Sequence, residues 1–347
     1  MEYNALMRKL PIGIQTFEKL RKENYLYVDK TEFVWKMAFA SNPYFLSRPR
    51  RFGKSLLLST FEAYFEGKKE LFEGLAIEKM ETEWKKYPVL HLDLNAEKYD
   101  SPERLGDILS NQLTQWELKY GKGVDENTLS TRFSGIIRRA CEQAGCGVVV
   151  LVDEYDKPML QAIGNGELQK EYRNTLKPFY GVLKTMDGCI KLAFLTGVTK
   201  FGKISVFSDL NNLDDISMQE MYVGLCGITG QEIHDNLEEE LHELADAQKM
   251  TYEEACAELK RRYDGYHFVE NTEGIYNPFS LLNTFKYKKF GSYWFETGTP
   301  TYLIELLKRY HYDLEHMAHA ETYADVLNSI YGDEEPLPVI FQSGYLT

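Results

Sequence analysis

Through the first two thirds of the chain, short apolar runs alternate with longer stretches whose apolar residues recur at helical spacing. Phe45-Leu46 is the first such run. It leads into a compact loop, after which Leu57, Leu58, Phe61 and Phe65 mark the buried face of a helix. Pro88-Val-Leu-His-Leu-Asp-Leu94 is a second short strand. Between Pro102 and Gly145, Leu105, Ile108, Leu109 and Leu113 outline one helix, and Phe133, Ile136, Ile137 and Ala140 outline another. Gly147-Val-Val-Val-Leu-Val152 is a continuous β-branched run, as expected of a strand covered on both faces. A helix over 167–186 and a strand over Ile190–Gly197 complete the series. Strands separated by helices in this order predict an α/β fold: three layers, α/β/α, around a mostly parallel central sheet.

The flanks read differently. Residues 1–42 form a lead-in with Leu10-Pro-Ile-Gly-Ile14, a strand at Tyr25–Val28, and a helix through Phe33, Val34 and Met37 that Asp29 or Thr31 caps. From Lys200 the pattern loosens into turn formers over Phe207–Ile216, with a last strand at Tyr222–Cys226. Thr229 and Glu232 form a capping box for an acidic helix. Further helices follow at Tyr252–Tyr263, after Tyr276-Asn-Pro-Phe-Ser280, and through Leu303, Leu306 and Leu307. The division is therefore an α/β domain over 1–230 and a smaller, mainly helical C-terminal domain over 231–347. The apolar, strand-like ending Leu337–Thr347 predicts a continuation in the natural protein, because chain ends ordinarily trail off in polar residues.

Composition narrows the options. A chain of 347 residues, 44% hydrophobic, can bury a sizeable core. No apolar run reaches bilayer length and the N-terminus lacks a basic, then apolar, leader, so no membrane partner and a cytoplasmic location are expected. Five cysteines without a CxxC pair predict reduced thiols and no zinc site, and His316 and His319 lack a third ligand. A net charge of −13 argues against whole-surface attraction to nucleic acid, with the acid concentrated over Asp235–Asp246. The basic stretch Arg48–Lys54 is the exception and points to a small phosphate ligand.

That stretch carries the candidate chemistry. A loop ending Gly53-Lys54-Ser55 and feeding a helix aims backbone N–H groups and the positive helix end at an anion. Gly53 keeps a Cβ out of the way, Lys54 reaches the β- and γ-phosphates, and Ser55 ligates Mg²⁺. The pattern G-x-x-x-x-G-K-[ST] has Arg48 at its first glycine, and Arg48, Pro49, Arg50 and Arg51 make the loop cationic. The candidate ligand-binding run is Arg48, Pro49, Arg50, Arg51, Phe52, Gly53, Lys54, Ser55 and Leu56. Asp153 and Glu154 end a central strand, where open α/β sheets bind ligands. Asp153 would hold Mg²⁺, directly or through water, and Glu154 would polarise the attacking water; the alternative is a pair that caps the next helix. Thr196 either contacts the γ-phosphate or lytic water, or satisfies the turn at Gly197, and Thr199 is read as a turn residue. Asp93 is read as structural, and Asp29 as a cap with a base contact as the alternative.

Arg48-Pro-Arg-Arg-Phe-Gly-Lys-Ser55, Leu151-Val-Asp-Glu-Tyr-Asp-Lys-Pro158, Leu195-Thr-Gly-Val-Thr-Lys200, Tyr263-Asp-Gly-Tyr266 and Gln342-Ser-Gly-Tyr-Leu-Thr347, in this order, resemble the bacterial predicted AAA-ATPase-like family. The resemblance covers essentially the whole chain and implies a P-loop NTPase fold with ATP and Mg²⁺ as ligands. In that family the arginine-containing form of the phosphate loop is usual. It further implies Walker A roles for Lys54 and Ser55, Walker B roles for Asp153 and Glu154, and a sensor role for Thr196; Lys54, Glu154 and Thr196 form the catalytic set, Ser55 and Asp153 the metal set. Members commonly continue into a PD-(D/E)XK nuclease-like domain, which would bring nucleic acid as a partner, but no Asp plus Glu-x-Lys pair in this chain supports a nuclease centre. The expected function is an ATP-hydrolysing module that couples nucleotide state to a downstream effector. Alternatives are a non-hydrolysing, nucleotide-gated module, a nucleic-acid contact through the arginine-rich loop, and a small-molecule kinase. An arginine finger would come in cis from Arg50 or Arg51, or in trans within an oligomer.

Overall fold

The computed structural model describes residues 9–40, 43–95, 97–200, 206–207, 210–269, 272–293, 308 and 336–344. Its centre is a five-stranded, all-parallel sheet: β1 (Pro43–Ser47), β2 (Val89–Asp93), β3 (Val148–Asp153), β4 (Ile190–Gly197) and β5 (Asp214–Asp215), in spatial order β2-β3-β4-β1-β5. The α/β, three-layer expectation holds. Because side chains alternate across a strand, Val148, Val150 and Val152 enter one core with Leu90 and Leu195, while Val149 and Leu151 enter the other with Leu192 and Phe194. The first core is closed by α4 (Pro102–Tyr120), α5 (Leu129–Ala144) and α7 (Gly166–Thr185), the second by α1 (Phe17–Lys22), α2 (Thr31–Ala40) and α3 (Lys54–Phe65). Between β3 and α7 lies the short α6 (Lys157–Gln161).

Register fixes what the strand ends present. Leu46 pairs with Thr196, Val152 with Leu195, and Asp93 with Asp153, so the carboxyl ends of β1, β4, β3 and β2 line one edge. β4 stands between the strand that feeds Gly53-Lys54-Ser55 and the strand that ends in Asp153.

A third apolar cluster belongs to α8 (Gly230–Asn236), α9 (Glu238–Gln248), α10 (Tyr252–Tyr263) and α11 (Pro278–Tyr287), with Leu241, Leu244, Leu259, Leu281 and Phe285 at its centre. Leu26 of the lead-in joins this cluster. The Thr229–Glu232 capping box forms, and Asn277 caps α11 by accepting from the Ser280 N–H.

Three strand readings need correction. Tyr25–Val28 is not a strand; Tyr25 makes a single bridge to Lys9. Tyr222–Cys226 lies in a 3-10 turn, Glu220–Leu225, whose Val223 and Leu225 are drawn down into the second core. The edge position beside β1 is taken by Asp214–Asp215, whose carboxylates meet Gln219 and Lys200 respectively. The Leu337 stretch forms α12 (Pro336–Gln342), in which Leu337 and Ile340, three apart, are both buried. Asp29 acts as a cap, accepting from the Thr31 N–H at 2.8 Å and the Ala76 N–H at 2.7 Å. His316, His319, Leu303, Leu306 and Leu307 lie outside the described residues.

Candidate functional site

The loop from β1 to α3 turns twice through left-handed backbone, at Arg51 (φ 68°) and at Gly53 (φ 92°), which is the residue before the first helical turn. The second turn delivers Lys54 and Ser55 to the sheet edge. The nearly buried Lys54 ammonium donates to the carbonyls of Arg48 (3.0 Å) and Pro49 (3.2 Å) and stands 3.3 Å from Glu154 Oε1. Ser55 Oγ donates to Asp153 Oδ2 at 2.5 Å. Asp153 Oδ1 in turn accepts from Thr196 Oγ1 at 2.7 Å. One hydrogen-bonded line therefore joins α3, β3 and β4, with Asp153 at its centre and Thr196 brought to it because β4 pairs directly with β3.

Glu154 sits at φ 54°, an uncommon backbone for a residue with a Cβ and of the kind that collects at functional turns. What holds it there is the rest of its motif. Tyr155 donates its N–H to Thr196 O (2.9 Å) and its hydroxyl to Thr199 O (3.0 Å). Asp156 accepts from the Thr199 N–H (2.7 Å), the Thr199 hydroxyl (2.9 Å) and the Val198 N–H (3.2 Å). Burial, then the nearby Glu154 charge, pushes the Asp156 carboxyl up to about 6, against the pull of those donors. A Cβ on Gly197 would meet the Tyr155 ring at 2.5 Å, so that position must be glycine for the two segments to close.

The loop opens onto a cavity of about 320 Å³. Arg50 through Leu57 line it, Gln15, Lys30, Asn95, Glu154 and Lys157 add further polar side chains, and Ile12, Ile14, Leu26, Ile228, Phe279 and Leu282 form an apolar part. Of the expected ligand-binding run, Arg48 and Pro49 do not line this cavity. They line a small separate crevice with Tyr266, Phe268 and Gln342. Arg48 is buried (1% exposed): its guanidinium donates to the carbonyls of Ser47 (3.0 Å), Ser217 (2.6 Å) and Tyr222 (3.2 Å) and lies 3.9 Å from the Phe268 ring centre. Burial brings its pKa down to about 10. That guanidinium points away from the cavity. Thr196 is also fully buried and does not line the cavity; its contact with the site is through Asp153. Thr199 satisfies the turn, as expected. Asp93 is exposed and accepts from the Asn95 N–H.

Sequence reasoning missed Asn95, Lys157 and the apolar wall formed by Ile12, Ile14, Phe279 and Leu282. Lys157 lay inside a motif already singled out, but nothing marked its direction. The wall is brought together from both flanks and carries no local signal.

A parallel three-layer α/β sheet whose first strand runs into Gly-Lys-Ser and whose central strand presents a carboxylate to that serine defines a P-loop-like class of protein. The chain belongs to the AAA-ATPase-like family: the family described as Predicted AAA-ATPase matches residues 11–207. It is also 39% identical over 344 residues to an "Uncharacterized protein in vnfD 5'region" of Azotobacter chroococcum mcd 1, an alignment covering 98% of this chain and 64% of that protein. The chain thus spans 64% of the length of the curated relative it matches. No solved structure matches it. The family supports nucleotide binding and an ATPase module. No helix among the described residues is long and apolar enough to cross a membrane.

Proposed function

We propose that this chain binds Mg²⁺-ATP over Gly53, Lys54 and Ser55, hydrolyses it with the help of Glu154, and passes the nucleotide state to an effector through its helical region. The observation that carries this reading is the 2.5 Å contact between Ser55 Oγ and Asp153 Oδ2, with the Lys54 ammonium 3.3 Å from Glu154 beside it. A hydroxyl and a carboxylate at a helix start and a strand end are hard oxygen donors, the set that Mg²⁺ takes alongside water and phosphate. Bound there, Mg²⁺ would neutralise charge on the β- and γ-phosphate oxygens. Lys54 would exchange the Arg48 and Pro49 carbonyls for phosphate oxygens, releasing Glu154. Thr196 holds the Asp153 carboxylate in orientation. A water oxygen then bonds to the γ-phosphorus as the bond to the bridging oxygen breaks; ADP leaves with that electron pair, and Glu154 takes the water proton. The apolar part of the cavity suits a base and ribose, and its 320 Å³ falls in the range of about 300–1,000 Å³ usual for ligand pockets.

Calorimetry with Mg²⁺-ATP on the parent and on Lys54→Ala tests the site. The variant is expected to bind about 100-fold more weakly, the loss of about 3 kcal/mol of charge-assisted contact. Equal affinities would sink the reading. Glu154→Gln is expected to keep ATP affinity and lower phosphate release by about 100-fold. The contacts on the rear of the loop favour one second reading, a nucleotide-gated module that barely turns over. Steady-state phosphate release by the parent separates the two.

A further inference from the structure

Lys157 is the first residue of α6, and its backbone is fixed from several directions. Its N–H donates to Glu154 O at 3.0 Å, Asp156 before it is bonded to Val198 and Thr199, and Pro158 after it sets the helix start. Its ammonium donates to Asn95 O at 3.1 Å and to Asn95 Oδ1 at 2.6 Å. Two of the three donors of a lysine are thus used, on neutral oxygens. Lys157 is half-buried, and the buried lysines around the site behave differently. Lys30 meets Glu232, Lys54 meets Glu154 and Lys200 meets Asp215. Among the described residues no carboxylate forms such a pair with Lys157, although its side chain lines the cavity beside Glu154 and Arg50.

The cavity has a direction. Asn95 follows β2 and Lys157 follows β3, on the side of the sheet away from β5, whereas the apolar wall comes from the lead-in and α11. With a base against that wall and the diphosphate on Gly53–Ser55, the next phosphate falls at the Glu154–Lys157 end. We propose that Lys157, aimed by Asn95, is the cation supplied in cis that recognises the terminal phosphate of a bound nucleoside triphosphate. This inference rests on the nucleotide-site reading above and goes beyond it. Burial lowers the Lys157 pKa against the pull of the Glu154 charge, with Arg50 adding to the lowering and Asp93 and Asp156 opposing it, and among the described residues no anion pairs directly with the ammonium. A γ-phosphate would supply one, and a diphosphate would not reach it.

The test is discrimination between Mg²⁺-ADP and Mg²⁺-ATPγS, measured by calorimetry, so that it does not depend on turnover. Lys157→Met is expected to weaken ATPγS binding about tenfold, the scale of one charge-assisted hydrogen bond, with ADP affinity unchanged. Lys157→Arg should restore most of the preference. Lys157→Gln, which keeps a donor for Asn95 without the charge, should show the same selective loss and guards against a folding defect in the methionine variant. Equal weakening of both nucleotides, or of neither, overturns the proposal while leaving the site intact. A parent that binds neither nucleotide would instead overturn the site itself.

Discussion

Residues 48–49 and residues 53–55 are neighbours in one loop, yet they face two different parts of the molecule, while residues 50–52 line the cavity with 53–55 and are also held from behind. Gly53, Lys54 and Ser55 turn toward the strand ends, where Lys54 and Ser55 meet Glu154 and Asp153. The preceding five residues are held by the helical region at every position. Phe268 covers the Arg48 guanidinium, and Gly344 packs so closely that a Cβ there would fall 2.8 Å from Pro49 Cβ. Asn277 Nδ2 donates to Arg50 O at 3.4 Å, the Arg51 guanidinium lies 5.0 Å from the Phe279 ring centre, and Phe52 stands edge-on to Tyr266 with centroids 4.8 Å apart. A glycine-rich loop would offer backbone to a phosphate and nothing behind it. Here the side chains give the loop a second, rearward attachment, made by Tyr266, Phe268, Asn277, Phe279 and Gly344.

The largest test of this contrast is Arg48→Met. It leaves the carbonyls of Ser47, Ser217 and Tyr222 without their buried donor, and is expected to lower stability by about 3 kcal/mol, read as a fall in the denaturant midpoint. Folded protein should still bind Mg²⁺-ATP, because Arg48 faces away from the cavity. A variant that stays stable but loses ATP would mean that the two halves are not divided as described. Tyr266→Phe is smaller. It removes the hydroxyl donated to Gly344 O at 2.8 Å, at a cost of about 1 kcal/mol, and is expected to raise hydrogen exchange in residues 336–344 before that of α3.

The smallest concerns what the front half rests on. Glu62 of α3 accepts from His91 of β2 at 3.0 Å. Burial alone would lower the His91 pKa, but the Glu62 contact together with the Asp153 and Asp93 charges outweighs it and the net shift is upward, while the same contact lowers that of Glu62. A raised histidine pKa stabilises the fold below about pH 6.5 and stops doing so as pH climbs through the folded value. Glu62→Gln should therefore cost up to about 1 kcal/mol near pH 6, a figure limited by partial exposure, and close to nothing at pH 9. Thermal unfolding of both proteins across that window checks the sign.

How much of this was legible depended on the distance over which the signal acts. Lys54, Ser55, Asp153 and Glu154 stood out because each belongs to a short motif at a strand end, where chain direction alone says which edge it reaches. Helix starts at Thr229 and Asn277 were readable for the same reason, since a cap acts within three residues. The strand readings at Tyr222–Cys226 and Leu337 failed because a short apolar run has no reliable period, and only the surface available to bury it chose a helical turn.

The sequence by itself determined the α/β character, the parallel strands and the four polar side chains at the loop and at the end of β3. All of these are local patterns or consequences of chain direction. The tertiary structure alone decided that β4 would lie between β1 and β3, placing Thr196 against Asp153, and that Arg48 would turn backward while Lys157 faces the cavity. Those outcomes depend on contacts across tens to hundreds of residues, where burial and hydrogen-bond partners are known only once the chain has closed on itself.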